Sequence, residues 1–141
     1  MTTSTFFTFV GDQCGRAEEA INFYTSIFPN SKIEKISKYG EGEPGGSPEL
    51  VKFATFTLNG VRYIASENNY KHAWSFSPGV SIYIESRSAE EVRSLYEKLS
   101  SDGGQVMVPL DDYSSSEYGL GKLFGWCADK FGVSWQFNYV D

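Results

Sequence analysis

The chain has 141 residues, the length of one ordinary domain. Its 11 Phe, 9 Tyr and 3 Trp exclude intrinsic disorder, because disordered chains lack the aromatic surface that offsets chain entropy. A net charge of −6 with no basic cluster argues against a nucleic-acid partner, since counterion release needs grouped Lys and Arg.

In chain order, residues 6–10 read as a strand of aromatic and β-branched residues. A helix follows over 17–28, where Ala17, Ala20, Ile21, Tyr24, Ile27 and Phe28 recur on one helical face. Pro29-Asn30 stops it, because proline cannot continue the hydrogen-bond ladder. Strands are predicted over 31–39, 50–58 and 61–66. Asn59-Gly60 joins the last two, and both residues tolerate the positive φ of a tight hairpin.

The second half runs in the same order. Residues 80–84 read as a strand. Ser88-Ala89-Glu90-Glu91 carries a capping box, serine at the cap and glutamate three residues on. Val92, Leu95, Tyr96 and Leu99 line one face of the helix that follows, and Asp102-Gly103-Gly104 ends it. Strands over 105–110, 122–128 and 133–140 complete the chain. Ala17-Glu18-Glu19 returns as Ala89-Glu90-Glu91 and Tyr24 as Tyr96, each 72 residues later. Gly60-Val61-Arg62-Tyr63 returns as Gly132-Val133-Ser134-Trp135 at the same offset of 72. Two separated matches in one register point to an internal duplication of a β-α-β-β-β unit, over about 5–67 and about 79–141, within one domain of residues 1–141.

Residues 40–48, 67–78 and 111–121 are loops, either plain connectors or the rim of a binding site. Strand alternation sorts the remaining residues into two faces. Val80, Ile82, Ile84, Val61, Tyr63, Ala65, Val133, Trp135 and Phe137 form an apolar set expected beneath the helices. Ser81, Tyr83, Arg62, Ile64, Ser66, Ser134, Gln136 and Asn138, with Gly79, form a mixed set that Phe7 and Phe9 are expected to join. Such a face is either exposed to solvent or the lining of a ligand site, and its aromatics favour the second. Phe7, Phe9, Ser81, Tyr83, Gln136 and Asn138 are therefore the candidate ligand-binding residues.

The two β-α-β-β-β modules resemble the vicinal oxygen chelate superfamily of glyoxalases, bleomycin-resistance proteins and extradiol dioxygenases. Ala17-Glu18-Glu19-Ala20-Ile21-Asn22-Phe23-Tyr24, Phe28-Pro29-Asn30-Ser31 and Tyr39-Gly40-Glu41-Gly42-Glu43-Pro44-Gly45 resemble its PhnB-like group. So does the closing stretch Gly125-Trp126-Cys127-Ala128-Asp129-Lys130-Phe131-Gly132-Val133-Ser134-Trp135-Gln136. The resemblance implies an α+β fold whose curved mixed sheets surround a cleft, and a homodimer. Some members carry the label 3-demethylubiquinone-9 3-methyltransferase.

Metal-dependent relatives bind a divalent ion at positions that carry over to Thr5, Ile64, Gly79 and Gln136. Only Gln136 would serve as a ligand there, because isoleucine and glycine side chains offer no lone pair. His72 has no histidine partner and reads as a surface residue. No metal and no cofactor is therefore expected. Cys14 lies at a predicted helix start but has no base near it in sequence, and Cys127 reads as a packed strand residue. S-adenosylmethionine would require a Gly-rich strand-to-helix turn, whereas Gly119-Leu120-Gly121 precedes a strand. Trp135 and Trp126 read as core, and Trp74 as a loop residue that serves either a ligand lid or an interface.

A chain of this size can bury roughly 68–70% of its extended surface without disulfides. Cys14 and Cys127 form no CxxC pair, and no basic segment precedes an apolar run at the N-terminus. A cytoplasmic protein with no membrane partner is expected. The leading function is binding of a small, partly aromatic organic molecule. The alternatives are a divalent-metal isomerase or dioxygenase, and methyl transfer.

Overall fold

The computed structural model describes residues 1–115, 117 and 120–141. Gly119 of the Gly119-Leu120-Gly121 stretch lies outside these. Two compact units, Met1–Ser75 and Phe76–Asp141, each hold one four-stranded sheet and one long helix. The first contains β1 (Thr5–Phe9), α1 (Ala17–Ile27), β2 (Lys32–Lys38), β3 (Val51–Leu58) and β4 (Val61–Glu67). The second contains β5 (Ser81–Ser86), α2 (Ala89–Ser100), β6 (Gln105–Asp111), β7 (Phe124–Ala128) and β8 (Ser134–Tyr139). The sheet orders β1-β4-β3-β2 and β5-β8-β7-β6 are the same arrangement twice. In each, the first strand runs parallel to the last and the other pairings are antiparallel, as two similar β-α-β-β-β modules require.

The helices form where the apolar spacing placed them. α1 buries Ala17, Ala20, Ile21 and Tyr24, and α2 buries Val92, Leu95 and Leu99, each over one face of its own sheet. Asn59 and Gly60 take φ of 52° and 77°, the left-handed conformation that a two-residue hairpin needs between β3 and β4. β2 lies at the edge of the first sheet, and Lys32, Lys35 and Lys38 along it blunt the open row of backbone groups.

The 72-residue register holds from the helices onward but not for the first strands. Thr5 pairs with Tyr63, whereas Trp135, the equivalent of Tyr63, pairs with Ile82. Thr5 is thus equivalent to Ile82, 77 residues on. The connection between β1 and α1 carries the difference: residues 10–16 with a 3₁₀ turn at Gly11–Gln13, against residues 87–88 between β5 and α2.

That longer connection corrects the assignment of Phe7 and Phe9. Phe7 pairs with Ala65, and Ala65 lies on the helix-covered side. Phe7 is only 4% exposed; it stacks on Tyr63 at 5.7 Å and meets the Tyr24 ring of α1 at 6.4 Å. Phe9 is fully buried. Both are core residues rather than members of the mixed face. Val80 corrects in the opposite direction: β5 begins at Ser81, so Val80 precedes the ladder and is exposed instead of lying under α2. Val61, at the hairpin, is also exposed.

Candidate functional site

With the strand registers fixed, each sheet has one helix-covered face and one face turned away from its helix. On the first sheet the turned-away face carries Phe6, Thr8, Phe53, Thr55, Arg62, Ile64 and Ser66. Phe6 and Phe53 meet edge-on at 6.4 Å and remain 51% and 38% exposed. Among the described residues, no hydrogen bond there links one side chain of this face to another.

The second sheet differs. Ser81 is directly opposite Ser134, Tyr83 opposite Gln136, and Gln136 opposite Trp126. Ser81 Oγ and Ser134 Oγ lie 2.7 Å apart, Trp126 Nε1 donates to Ser134 Oγ at 2.8 Å, and Gln136 Nε2 donates to Ser81 Oγ at 3.2 Å. Three strands therefore place four polar side chains in one hydrogen-bonded row. Tyr83, 51% exposed, stands beside it as an aromatic wall. Sequence alternation grouped Ser81, Tyr83 and Gln136 correctly onto one face. It read Trp126 as core with Phe124, whereas Trp126 shares this face. Parity within β7 leaves the face open, and only the pairing of Trp126 with Gln136 fixes it.

Asn138 shares the face but is covered by its own chain. Tyr113 lies edge-on against Phe124 at 6.2 Å, and Gly121 abuts the Asn138 amide. A Cβ at Gly121 would come within 2.2 Å of Asn138 Oδ1, so glycine is needed for this approach. Asn138 Oδ1 is buried with no hydrogen-bond partner among the described residues. The accessible part of the row is Ser81, Tyr83, Trp126 and Gln136.

The two conspicuous buried carboxylates are committed to structure. Glu67 is 1% exposed, and its oxygens accept from the backbone N–H groups of Gly15, of Ala17 at 3.2 Å and of Val51 at 2.9 Å. Asp129 accepts from Phe131 N at 2.9 Å, Val133 N at 3.0 Å and Trp135 Nε1 at 2.8 Å, which fixes the turn before β8. Among the described residues, no three His, Cys, Asp or Glu side chains converge as a metal site would require. Of the positions carried over from metal-dependent relatives, Thr5 lies on the opposite face of the first sheet from Ile64, Ile64 has no lone pair, Gly79 has no side chain and precedes β5, and only Gln136 offers an oxygen, Oε1. These donors do not fit a divalent ion.

The thiols are equally unsuited to nucleophilic chemistry. Burial, then the Glu67 carboxylate, raises the pKa of Cys14, whose Sγ donates to Asn68 O at 3.3 Å. Burial, then Asp129, pushes Cys127 up to about 12. Both thiols stay protonated at neutral pH, the reverse of an activated cysteine. His72 is half-buried, with Nε2 2.8 Å from Asn68 Oδ1 and its ring 4.7 Å from that of Trp74. Trp74 is exposed.

The family model for 3-demethylubiquinone-9 3-methyltransferase matches residues 2–138. Among solved structures, a PhnB protein from Bacillus cereus is 39% identical, with a TM-score of 0.86 over 99% of this chain and 100% of that one. Protein PA1353 from Pseudomonas aeruginosa is 24% identical, with a TM-score of 0.77 over 99% and 97% of the two chains. The fosfomycin resistance protein FosX from Listeria monocytogenes, 15% identical, covers 100% and 94% at a TM-score of 0.66 and shares the fold. No match was found among curated proteins.

Proposed function

The chain belongs to the 3-demethylubiquinone-9 3-methyltransferase family, its PhnB-like group within the glyoxalase and bleomycin-resistance superfamily, and from that premise we propose that it binds a small, neutral, partly aromatic molecule. The observation that carries this reading is the Trp126–Ser134–Ser81–Gln136 row beside exposed Tyr83. A flat ring lies on Tyr83 and Trp126, and polar groups at its edge meet Ser81 and Gln136. Phe7 and Phe9, buried in the core of the first unit, are not part of this reading.

Methyl transfer has less support. The backbone N–H groups at the start of α1 are occupied by Glu67, and α2 begins two residues after β5 at a serine cap. Neither strand-to-helix turn leaves a free cradle for an S-adenosylmethionine carboxylate or ribose. The metal-dependent isomerase or dioxygenase reading likewise has less support, from the donor set described above. We also expect a homodimer, by resemblance, in the cytoplasm; no helix among the described residues is long and apolar enough to cross a membrane.

The test is a thermal-shift screen of neutral aromatic and quinone-like compounds, followed by titration of the best binder into Gln136→Ala. Loss of the Gln136 amide should weaken binding by about 1–3 kcal/mol, the scale of a buried polar group left unpaired. An unchanged affinity would remove Gln136 from the site.

A further inference from the structure

The direction of every hydrogen bond in the row follows from counting protons. An indole N–H can only donate, so Ser134 Oγ accepts from Trp126 Nε1. Ser134 is 2% exposed, and Ser81 Oγ is the other partner of its hydroxyl. A buried hydroxyl proton without an acceptor is costly, so Ser134 donates to Ser81. Ser81 Oγ also accepts from Gln136 Nε2. Both lone pairs of Ser81 are then filled, and its own proton has no acceptor among the described residues. Gln136 Oε1 has no donor among them either. The accessible part of the row therefore presents one hydrogen-bond donor, the Ser81 O–H, near one acceptor, Gln136 Oε1. The charged residue on this face of β5, β7 and β8 is Glu85, which faces Asn138 across the β5–β8 ladder.

We infer that the site selects a neutral lactam-type edge: a ring carbonyl accepting from Ser81 beside a ring N–H donating to Gln136 Oε1. Trp126 and Ser134 are positioning residues that set this polarity without touching the polar edge of the ligand. The inference rests on the binding role proposed above. A carboxylate is disfavoured, because it would meet Glu85 and no cation on these strands. A plain aromatic hydrocarbon would leave both polar groups unpaired.

Three flat probes test this by titration calorimetry: 2-quinolinone, which has both groups; N-methyl-2-quinolinone, which keeps only the carbonyl; and 2-methylnaphthalene, which has neither donor nor acceptor. Each matched hydrogen bond should tighten binding roughly tenfold, so the three rank in that order. Ser81→Ala should abolish the advantage of the carbonyl. Trp126→Phe leaves Ser134 without its donor, so the Ser81 proton can turn inward, and the same advantage should shrink several-fold. Should Trp126→Phe fail to fold, the carbonyl stretch of bound 2-quinolinone decides. It should fall on binding to the unmodified protein and recover in Ser81→Ala. Equal affinity for all three probes, or binding of other neutral aromatics but no lactam, would overturn the inference and leave the binding role standing. Failure of every flat neutral compound to bind would overturn the binding role and the inference with it.

Discussion

The two modules begin their helices in opposite ways. In the second, the N-terminus of α2 is closed locally: Ser88 Oγ accepts from Glu91 N at 3.1 Å, and Ser86 Oγ donates to the Glu91 carboxylate at 2.7 Å. In the first, Arg16 stands at the cap position with no side-chain cap. The first N–H groups there reach across the unit to Glu67, at the end of β4. Each solution satisfies an orphan donor of its helix, Glu91 N in α2 and Ala17 N in α1. One solution is written within four residues, and the other spans fifty positions of chain. The lesson concerns robustness: a local cap survives loosening of the sheet, whereas the Glu67 cap couples α1, β3 and β4 into one unit.

The predictions follow that contrast from the largest effect downward. Glu67→Ala strands the buried N–H donors of Ala17 and Val51, frees that of Gly15 and opens a cavity, and should cost about 3–5 kcal/mol in a denaturant melt. A loss near that of a surface cap would show that water replaces the carboxylate and that the coupling is weak. Phe7→Ala removes a ring from the stack of Phe7, Phe56 and Tyr63 and should cost about 3–5 kcal/mol. A change under about 0.5 kcal/mol would return Phe7 to the other face of the first sheet.

Alkaline pH separates the two cysteines. Cys127 stays protonated in the folded state up to about 12, from an ordinary value of 9.0. The unfolded thiol ionises first, so stability is intact below about pH 9 and falls as pH rises toward 12. Between pH 8 and 10.5, wild type should lose about 2 kcal/mol more than Cys127→Ala, read from paired melts. Parallel losses would mean the thiol is less enclosed than its place beneath α2 implies. Ser88→Ala should cost about 1 kcal/mol, the ordinary value of an N-cap. If it matched Glu67→Ala, the contrast between local and distant capping would disappear. Smallest of all, Tyr83→Ala should change stability by less than about 0.5 kcal/mol while weakening binding of a flat aromatic, because its ring is largely exposed.

The sequence by itself determined the elements and their repetition. Apolar spacing placed α1 and α2, Asn-Gly marked the β3–β4 hairpin, and the 72-residue offset revealed the modules before any strand was paired. Alternation also grouped Ser81, Tyr83 and Gln136, since parity within a strand is a local property. What it could not carry was parity between strands separated by a connection of unknown length. Five extra residues between β1 and α1 moved Phe7 and Phe9 from the expected mixed face into the core. Trp126 was misplaced for a related reason: an aromatic at alternate positions reads as core until its partner Gln136 fixes which face it shares. Glu67 as a helix cap and Asp129 as the anchor of Trp135 were likewise invisible. A buried carboxylate is tolerable only where distant N–H groups converge on it, and that convergence exists only once the chain has folded.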